Sequence, residues 1–222
     1  IAGVQGNGQT ELTEAIIGMH GRTSGSIDLN GTELLGKNVK QVLDDGVGFV
    51  PEDRTEDGLV AEFTIAENLM LDRSDRAPFA KRGVLQLGFL KQFAQEKFQQ
   101  FDVRASGITA KASQLSGGNQ QKVVLARELS RDLSLLVASQ PTRGLDVGSI
   151  EFVHEQIVAA RDKGIPVLIV ATELDEATQL GDRIAVMYRG KIMGIVPPDT
   201  DRAQLGQMMA GISHSELKAA QA

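Results

Sequence analysis

The stretch LSGGNQQK, Leu115–Lys122, determines how the rest of the sequence is interpreted. It places Ser116 and two glycines directly before the strongly helical segment NQQKVVLARELSR, where a serine hydroxyl can cap free backbone N–H groups. A serine cap alone is an ordinary helix start. The double glycine is unusual, because each glycine lowers helix stability by about 1 kcal/mol and is expected only where another group must approach the backbone closely. We therefore expect an anion-binding helix terminus here.

Segments on both sides of this helix alternate between strands and helices. In chain order they are the strand Val47–Val50, long helical stretches from about Glu62 to Arg131 that include the amphipathic Gly88–Phe101, the strand Leu133–Ser139, a helix over Ile150–Gly164, the strand Ile165–Ala171, a helix over Leu174–Leu180 and a hairpin over Arg183–Val196. Such alternation predicts a parallel sheet covered by helices on both faces. The expected fold class is α/β with a helical insertion.

Near the start of the chain, GVQGNGQT, Gly3–Thr10, has the spacing of a phosphate-binding loop, but Gln9 stands where lysine is expected. Its three glycines permit positive φ angles and let backbone N–H groups point inward at an anion. A glycine-rich turn before a helix is the alternative for the loop taken alone. Only Ile1 and Ala2 precede the loop, too few for the strand that such a loop follows, so we expect a fragment of a longer chain.

The composition excludes several classes of function. The 222 residues carry a net charge of −6 with eight Phe, one Tyr and no Trp, which argues against a nucleic-acid partner. No cysteine is present, so disulfides and thiolate sites are excluded. The apolar runs are far shorter than the roughly 20 residues of a membrane span. His20, His154 and His214 lie far apart in the sequence, which favours surface or packing roles over metal binding.

LSGGNQQ resembles the signature motif of ATP-binding cassette (ABC) proteins. Leu135–Asp146 lies at the family's spacing for the strand that normally ends in Asp-Glu and for the loop that crosses the dimer interface, and Val167–Ile192 is similar to the switch region. The resemblance covers nearly the whole chain and implies a P-loop NTPase with a RecA-like parallel sheet flanked by helices, truncated at the N-terminus. It implies one nucleotide-binding domain over 1–222, with a core at 1–60 and 131–200, an inserted helical subdomain with the signature motif at 61–130 and a C-terminal tail at 201–222.

The resemblance also implies roles for individual residues. Family members act as head-to-tail dimers in which each ATP lies between one domain's glycine loop and the other domain's signature helix. The residues implied to bind nucleotide are Gly3, Gly6, Asn7, Gly8, Gln9, Thr10 and Glu11. The signature motif, which acts on the nucleotide of the other domain, comprises Leu115, Ser116, Gly117, Gly118, Asn119 and Gln120. The dimer-interface loop comprises Gly144, Leu145 and Asp146.

The chain departs from the family at the polar positions of the ATP site. Gln9 stands in place of the phosphate-binding lysine, and Glu52 in place of the glutamine that reaches magnesium. Ser139 replaces the magnesium-organising aspartate, Gln140 the catalytic glutamate and Thr172 the switch histidine. Thr10, whose hydroxyl would ligate magnesium, remains, but Mg²⁺ prefers carboxylates, so its binding is expected to be weak or absent. Arg54, Lys122 or Arg143 could supply a charge, although surface or interface roles are expected for them. We expect ATP hydrolysis by the full-length protein and none by the isolated domain.

Four motifs, GVQGNGQTEL, PEDR, SGGNQQK and PTRGLDVG, together look like the second nucleotide-binding half of the tandem ATPase subunit of bacterial importers of simple sugars and nucleosides. Ala138–His154 looks most like the nucleoside branch. The resemblance implies ATP as ligand and a cytoplasmic position at the inner face of the cell membrane. The implied partners are the N-terminal half of the same chain or a second copy, membrane permease subunits and, indirectly, a substrate-binding protein. The alternatives are a non-hydrolysing regulatory or structural cassette module and a soluble cassette ATPase without a membrane partner.

Overall fold

The computed structural model describes residues 1–221, so Ala222, the last residue of the predicted tail, lies outside the described residues. The helices are α1 (Gln9–Ile16), α2 (Val39–Asp44), α3 (Ile65–Met70), α4 (Leu87–Gln100), α5 (Gly117–Glu128), α6 (Val147–Asp162), α7 (Leu174–Leu180), α8 (Arg202–Met209) and α9 (His214–Gln221). The strands are β1 (Asp28–Leu29), β2 (Thr32–Glu33), β3 (Val47–Val50), β4 (Ala80–Lys81), β5 (Val84–Leu85), β6 (Leu135–Ser139), β7 (Val167–Val170), β8 (Ile184–Tyr188) and β9 (Lys191–Val196). Among the described helices, none is both long enough and apolar enough to cross a membrane.

The chain folds into two compact units. The first comprises Ile1–Val47, Ser134–Pro141 and the chain from Pro166 onward, and the second comprises Gly48–Leu133 and Thr142–Ile165. The first unit therefore contains the glycine-rich loop near the chain start and the strands β6 and β7. The second contains α5, the helix that follows Ser116, and the whole of the predicted insertion at 61–130.

The strands of the first unit confirm the predicted parallel sheet. β6 and β7 pair in parallel, with Leu136 opposite Val167. Ala2 forms isolated parallel bridges to Ala171, just after β7, and to Val186 in β8, so the start of the chain lies between β7 and β8. Most side chains of β6 are buried, as expected for a strand covered on both faces. The predicted α/β class is confirmed.

The hairpin of β8 and β9 packs against the C-terminal helices. Its turn is made by Arg189 and Gly190, with φ of 45° and 73°, a conformation that suits a two-residue hairpin, and the hairpin predicted over Arg183–Val196 is confirmed. The apolar core here contains Ile184, Val186, Val196, Leu205, Met208 and Leu217. The predicted C-terminal tail contains α8 and α9, and their buried side chains complete this core.

The second unit consists mainly of α3, α4, α5 and α6, with a hairpin that the sequence analysis missed. β4 and β5 lie within the region from about Glu62 to Arg131, for which only long helical stretches were expected. Arg82 and Gly83, with φ of 51° and 77°, form the turn between them. Phe79, just before β4, packs edge-on against Phe93 of α4, with ring centroids 5.0 Å apart. The prediction was wrong here because strands this short contain too few residues to show an alternating pattern.

Candidate functional site

The glycine loop, Gly3–Gly8, leads from the bridging residue Ala2 into α1. Gly6 has a φ of 83° and Gly8, the N-cap residue of α1, a φ of 106°. Glycine adopts this left-handed region without strain, which explains why the chain can turn so sharply here. Thr10 and Glu11, the last two residues predicted to bind nucleotide, are exposed in the first turn of α1.

Asn7 fastens the glycine loop to the turn between β8 and β9. Its Oδ1 accepts the backbone N–H of Arg189 at 2.8 Å, and its carbonyl accepts the N–H of Gly190 at 2.8 Å. A Cβ atom on Gly8 would lie only 3.1 Å from the Cα of Gly190, so the loop passes close to this turn. The shape of the loop is therefore fixed by contacts within the first unit.

The side chain of Gln9 lies inside the glycine loop. Gln9 is only 5% exposed, and its Oε1 accepts the backbone N–H of Asn7 at 2.9 Å. Its Nε2 donates to the carbonyl of Val4 at 3.0 Å. A Cβ atom on Gly3 would lie 2.6 Å from this Nε2, so the first glycine makes room for the amide. The N–H of Asn7, which a phosphate-binding loop would offer to an anion, is bonded to Gln9 instead.

Three more predicted positions lie at the ends of the paired strands β6 and β7. Ser139 is the last residue of β6, and Gln140 follows it with a φ of 45°. The N–H of Gln140 donates to the carbonyl of Val170 at 2.8 Å, which holds the two strand ends together. Thr172 lies two residues beyond β7. The structure thus brings Ser139, Gln140 and Thr172 to one edge of the sheet, and all three are neutral.

The predicted phosphate and metal positions of the first unit, Gln9, Ser139 and Gln140, all carry neutral side chains. Within residues 1–221, no group of three or more His, Cys, Asp or Glu side chains is placed to hold a metal ion. Mg²⁺ prefers carboxylate ligands in addition to phosphate oxygens, whereas Ser139 and Gln140 offer a hydroxyl and an amide. A triphosphate would likewise meet the Gln9 amide where a cation is needed.

The signature motif forms the start of α5. Ser116 is the N-cap residue, and its Oγ accepts Nδ2 of Asn119 at 2.9 Å and the backbone N–H of Asn119 at 3.4 Å. Leu115 is buried, whereas Ser116 is exposed. Nε2 of Gln120 donates to the carbonyl of Ala112 at 3.1 Å and secures the first turn from inside. The N–H groups of this turn have no partner within the helix and form its positive end.

Gly118 lies against the start of α6. A Cβ atom on Gly118 would be 2.1 Å from Oγ of Ser149, so the approach of the two helices requires glycine. Asp146 caps α6 by accepting the N–H and the hydroxyl of Ser149, at 2.9 and 2.8 Å. These hydrogen bonds, the hydroxyl bond first, hold the pKa of Asp146 below its ordinary value. Because of this cap, α6 begins at Val147 and not at the predicted Ile150.

A cleft of about 410 Å³ beside the signature motif is lined by Ser116, Asn119, Lys122, Asp146, Ser149 and Phe152, among others. Lys122 is buried, and its Nζ donates to Oδ2 of Asp102 at 2.9 Å and lies 4.6 Å from the ring centre of Phe152. The expectation of a surface role for Lys122 is therefore wrong. Its ammonium group stabilises the packing behind the signature motif.

Glu52 belongs to the second unit, and its carboxylate forms an ion pair with the Nη1 of Arg143. Nη1 of Arg54 donates to the backbone carbonyl of Arg143 at 2.9 Å. The PEDR stretch is thus joined to the residue directly before the dimer-interface loop. Within that loop, Gly144 adopts a φ of 67°, and Leu145 donates its N–H to Thr142 at 3.2 Å.

The structure divides the predicted residues between the two units. The glycine loop, Ser139, Gln140 and Thr172 belong to the first, whereas Glu52, the signature motif and the dimer-interface loop belong to the second. The sequence analysis missed Ser149 and gave Arg54 no specific role. The signal for both was the pair of glycines in the signature motif, since each marks the approach of a side chain from elsewhere in the second unit.

Comparison with known proteins agrees with this geometry. The family model described as ABC transporter matches residues 1–143. The nucleoside import ATP-binding protein NupA of Lactococcus lactis subsp. cremoris is 48% identical over 212 residues, and the guanosine import ATP-binding protein NupO of Bacillus subtilis is 44% identical over 217 residues. These alignments cover 95% and 97% of this chain and 42% of each relative. The chain thus spans less than half the length of either relative.

Solved structures share the fold. The dimeric ATP-binding cassette MJ0796, in a post-hydrolysis state bound to ADP and Pi, has a TM-score of 0.74 and 22% identity over 90% of this chain and 84% of its own. The ADP conformation of the cassette MJ1267 has a TM-score of 0.69 and 21% identity over 98% of this chain and 84% of its own. The predicted P-loop NTPase fold is therefore confirmed. Because the family model also matches more than half of the sequence, the chain belongs to the ABC transporter family.

Proposed function

We propose that this chain is one nucleotide-binding half of an ATPase that energises the import of a nucleoside or simple sugar, and that it is the catalytically degenerate half. NupA and NupO are import ATP-binding proteins for nucleosides and guanosine, and the 43% identical TsgD13 of Haloferax volcanii is one for glucose. The chain corresponds to 42% of NupA, which supports one half of a tandem subunit.

The position of the Gln9 amide is the observation that carries the proposal. It bonds to the N–H of Asn7 at 2.9 Å and to the carbonyl of Val4 at 3.0 Å, so a glycine-loop donor and acceptor are satisfied without an anion. A lysine would instead place a full positive charge beside the phosphate oxygens. The glycine loop of this chain therefore keeps its fold while lacking the charge that holds a triphosphate.

The strand ends add to this loss. Phosphoryl transfer to water depends on charge stabilisation by a cation and a metal and on a group that orients the attacking water. Gln140 cannot accept a proton as a glutamate would, and Ser139 offers no carboxylate to magnesium. Magnesium binding is then weak or absent in the first unit, and the chain alone does not hydrolyse ATP.

The signature motif, in contrast, retains the groups that a phosphate needs. The hydroxyl of Ser116 is exposed, and the first turn of α5 presents N–H groups at the positive end of a helix. These groups suit the γ-phosphate of a nucleotide bound by another domain. That domain is the N-terminal half of the same chain or a second copy.

The names of the relatives also support a proposed location and proposed partners. An import ATPase works at the cytoplasmic face of the cell membrane against permease subunits, and a substrate-binding protein acts with it indirectly. The transported molecule is selected by those partners. The other candidates are a regulatory or structural cassette module without hydrolysis and a cassette ATPase without a membrane partner.

Steady-state ATPase and uptake by the full-length protein, reconstituted with its permease in vesicles, test the proposal. We expect Ser116→Arg to lower both by at least about a hundredfold, because its bulk blocks the helix terminus, whereas Gln9→Ala changes them by less than about twofold. Ser113→Arg is the matched control, since Ser113 is also exposed and lies just before the motif. Equal losses from Ser116→Arg and Gln9→Ala would mean that the glycine loop still performs chemistry. Equal tolerance would assign the domain a scaffold role.

A further inference from the structure

The PEDR stretch continues into a turn that runs along the signature helix. Arg54–Gly58 forms a single π-helical turn. At its far end, the carbonyl of Gly58 accepts Nη1 of Arg127 at 2.7 Å, and a Cβ atom on Gly58 would lie 3.2 Å from Cγ2 of Val124. Both partners belong to α5, so the turn is fixed to the C-terminal half of that helix.

At the near end of this turn, Arg54 covers the first residue of α5. A Cβ atom on Gly117 would lie 2.4 Å from Nη2 of Arg54 and 3.2 Å from its Cζ. The guanidinium therefore occupies the space that any other residue at position 117 would need. Gly117 is explained by this contact without reference to a nucleotide.

The same guanidinium reaches the dimer-interface loop. Its Nη1 donates to the carbonyl of Arg143 at 2.9 Å, one residue before Gly144. Glu52 pairs with the side chain of Arg143, so the PEDR stretch holds that residue by both backbone and side chain. Arg54 thus touches both the signature motif and the residue preceding the interface loop.

The placement of Arg54 carries two energetic costs. Its Nε is buried and makes no hydrogen bond to any described residue, and an unpaired buried donor destabilises the fold. A cation beside the N-terminus of a helix is also unfavourable, because that end carries the positive part of the helix dipole. A residue that served stability alone would avoid both costs.

We propose that Arg54 is a positioning residue that fixes the first turn of α5 relative to the dimer-interface loop. Ser116 and Asp146 then face the partner domain as one rigid surface, so that the phosphate contact and the interface contact form together. The inference rests on the proposed function, in which the signature motif completes a partner's ATP site.

ATPase kinetics of the full-length protein with its permease in vesicles test this role. Arg54→Ala should lower kcat about tenfold and change the KM for ATP by less than about twofold, since the partner domain's own glycine loop, which binds that ATP, is unaltered. Arg54→Lys should recover only part of the loss, because an ammonium lacks the planar fork that spans both contacts. Arg161→Ala, at an exposed arginine that pairs with its neighbour Asp162, is the control and should leave both constants unchanged.

A double-mutant cycle separates positioning from a direct effect on nucleotide. Gly117→Ala should displace the guanidinium and lower kcat as Arg54→Ala does, and the double variant should be no worse than either single one. Additive losses would overturn the inference, since Gly117 would then serve the nucleotide itself. Gly117→Ala keeps Arg54 in the chain, so it carries the same test if Arg54→Ala lowers the melting temperature.

Hydrogen exchange gives a readout that does not depend on activity. Arg54→Ala should speed exchange in segments 116–120 and 143–146 of the full-length protein, and unchanged rates would overturn the inference. If Ser116→Arg is silent, the proposed function fails. If Ser116→Arg abolishes hydrolysis while Arg54→Ala retains full kcat, the positioning role alone fails.

Discussion

The glycine loop and the signature motif are both glycine-rich turns at helix starts, but their polar side chains point in opposite directions. In the loop, Gln9 turns inward, is 5% exposed and bonds to the backbone N–H of Asn7. In the signature motif, Ser116 is exposed and its Oγ caps only the N–H of Asn119, whereas the N–H groups of Gly117 and Gly118 lie outside the helix's own hydrogen bonds. The loop is filled by its own side chain, whereas the signature turn keeps an exposed hydroxyl and two N–H groups at the helix terminus.

Their glycines nevertheless share a cause. A Cβ atom would meet Nε2 of Gln9 at position 3, Nη2 of Arg54 at position 117 and Oγ of Ser149 at position 118. In each case the nearest neighbour is a side chain of the same unit, and at position 3 the carbonyl oxygen of Met187 would also lie 2.8 Å away. Glycine spacing therefore reports that some group approaches the backbone closely, and the surrounding side chains decide whether that group is a ligand.

Among substitutions in these two turns, the largest loss of stability is expected at Gly118. Gly118→Ala would place a methyl group 2.1 Å from Oγ and 3.0 Å from Cβ of Ser149, so α5 and α6 must shift apart. We expect the free energy of unfolding to fall by about 2 kcal/mol, as in other overpacked sites. Urea denaturation of the chain measures this change.

Gly148→Ala is the matched control, because a Cβ atom there would meet only Oδ1 of Asp146, at 3.5 Å. It should leave stability unchanged or raise it slightly, since alanine is the better helix former. Ser149→Ala in the Gly118→Ala background should restore part of the loss. A Gly118→Ala variant as stable as the original chain would show that the signature glycine is not required by packing.

A smaller effect is expected in the glycine loop. Gln9→Glu keeps an acceptor for the N–H of Asn7 but loses the donor to Val4, and it places a carboxylate against that carbonyl. The free energy of unfolding at pH 7 should fall by about 1 kcal/mol. Gln207→Glu, at an exposed position of α8, is the control and should change it by less than about 0.5 kcal/mol.

An unchanged stability in Gln9→Glu would contradict the closed loop. It would mean that the amide of Gln9 does not hold the loop and that the N–H of Asn7 is available to a ligand. The contrast between the two turns would then disappear.

Much of the fold was predictable because its signals are local. The strand β6, the helix Leu174–Leu180 and the hairpin over Arg183–Val196 follow from apolar runs and turn residues, and the structure confirms them. The β4–β5 hairpin was missed because its strands are too short to show a pattern. Local sequence thus defined the long elements better than the short ones.

The site was less predictable because its contacts join distant parts of the chain. The substitution at position 9 was visible in the sequence, but the hydrogen bonds of Gln9 to Asn7 and Val4 were not. The contact of Arg54 with Gly117 likewise spans dozens of residues of sequence, and no periodic pattern reports it. The order of the motifs indicated which positions belong to the site, whereas the side chains that contact those positions follow only from the folded structure.

The number of nucleotides trapped per full-length protein tests the central claim most directly. If the glycine loop of this half is closed and its signature motif is open, trapping with ATP, magnesium and vanadate should retain about one nucleotide per full-length protein, bound at the partner half. Ser116→Arg should reduce that number to about zero, and Gln9→Ala should leave it at about one. Retention of about two nucleotides per full-length protein would contradict the account, because the loop closed by Gln9 would then bind and turn over ATP.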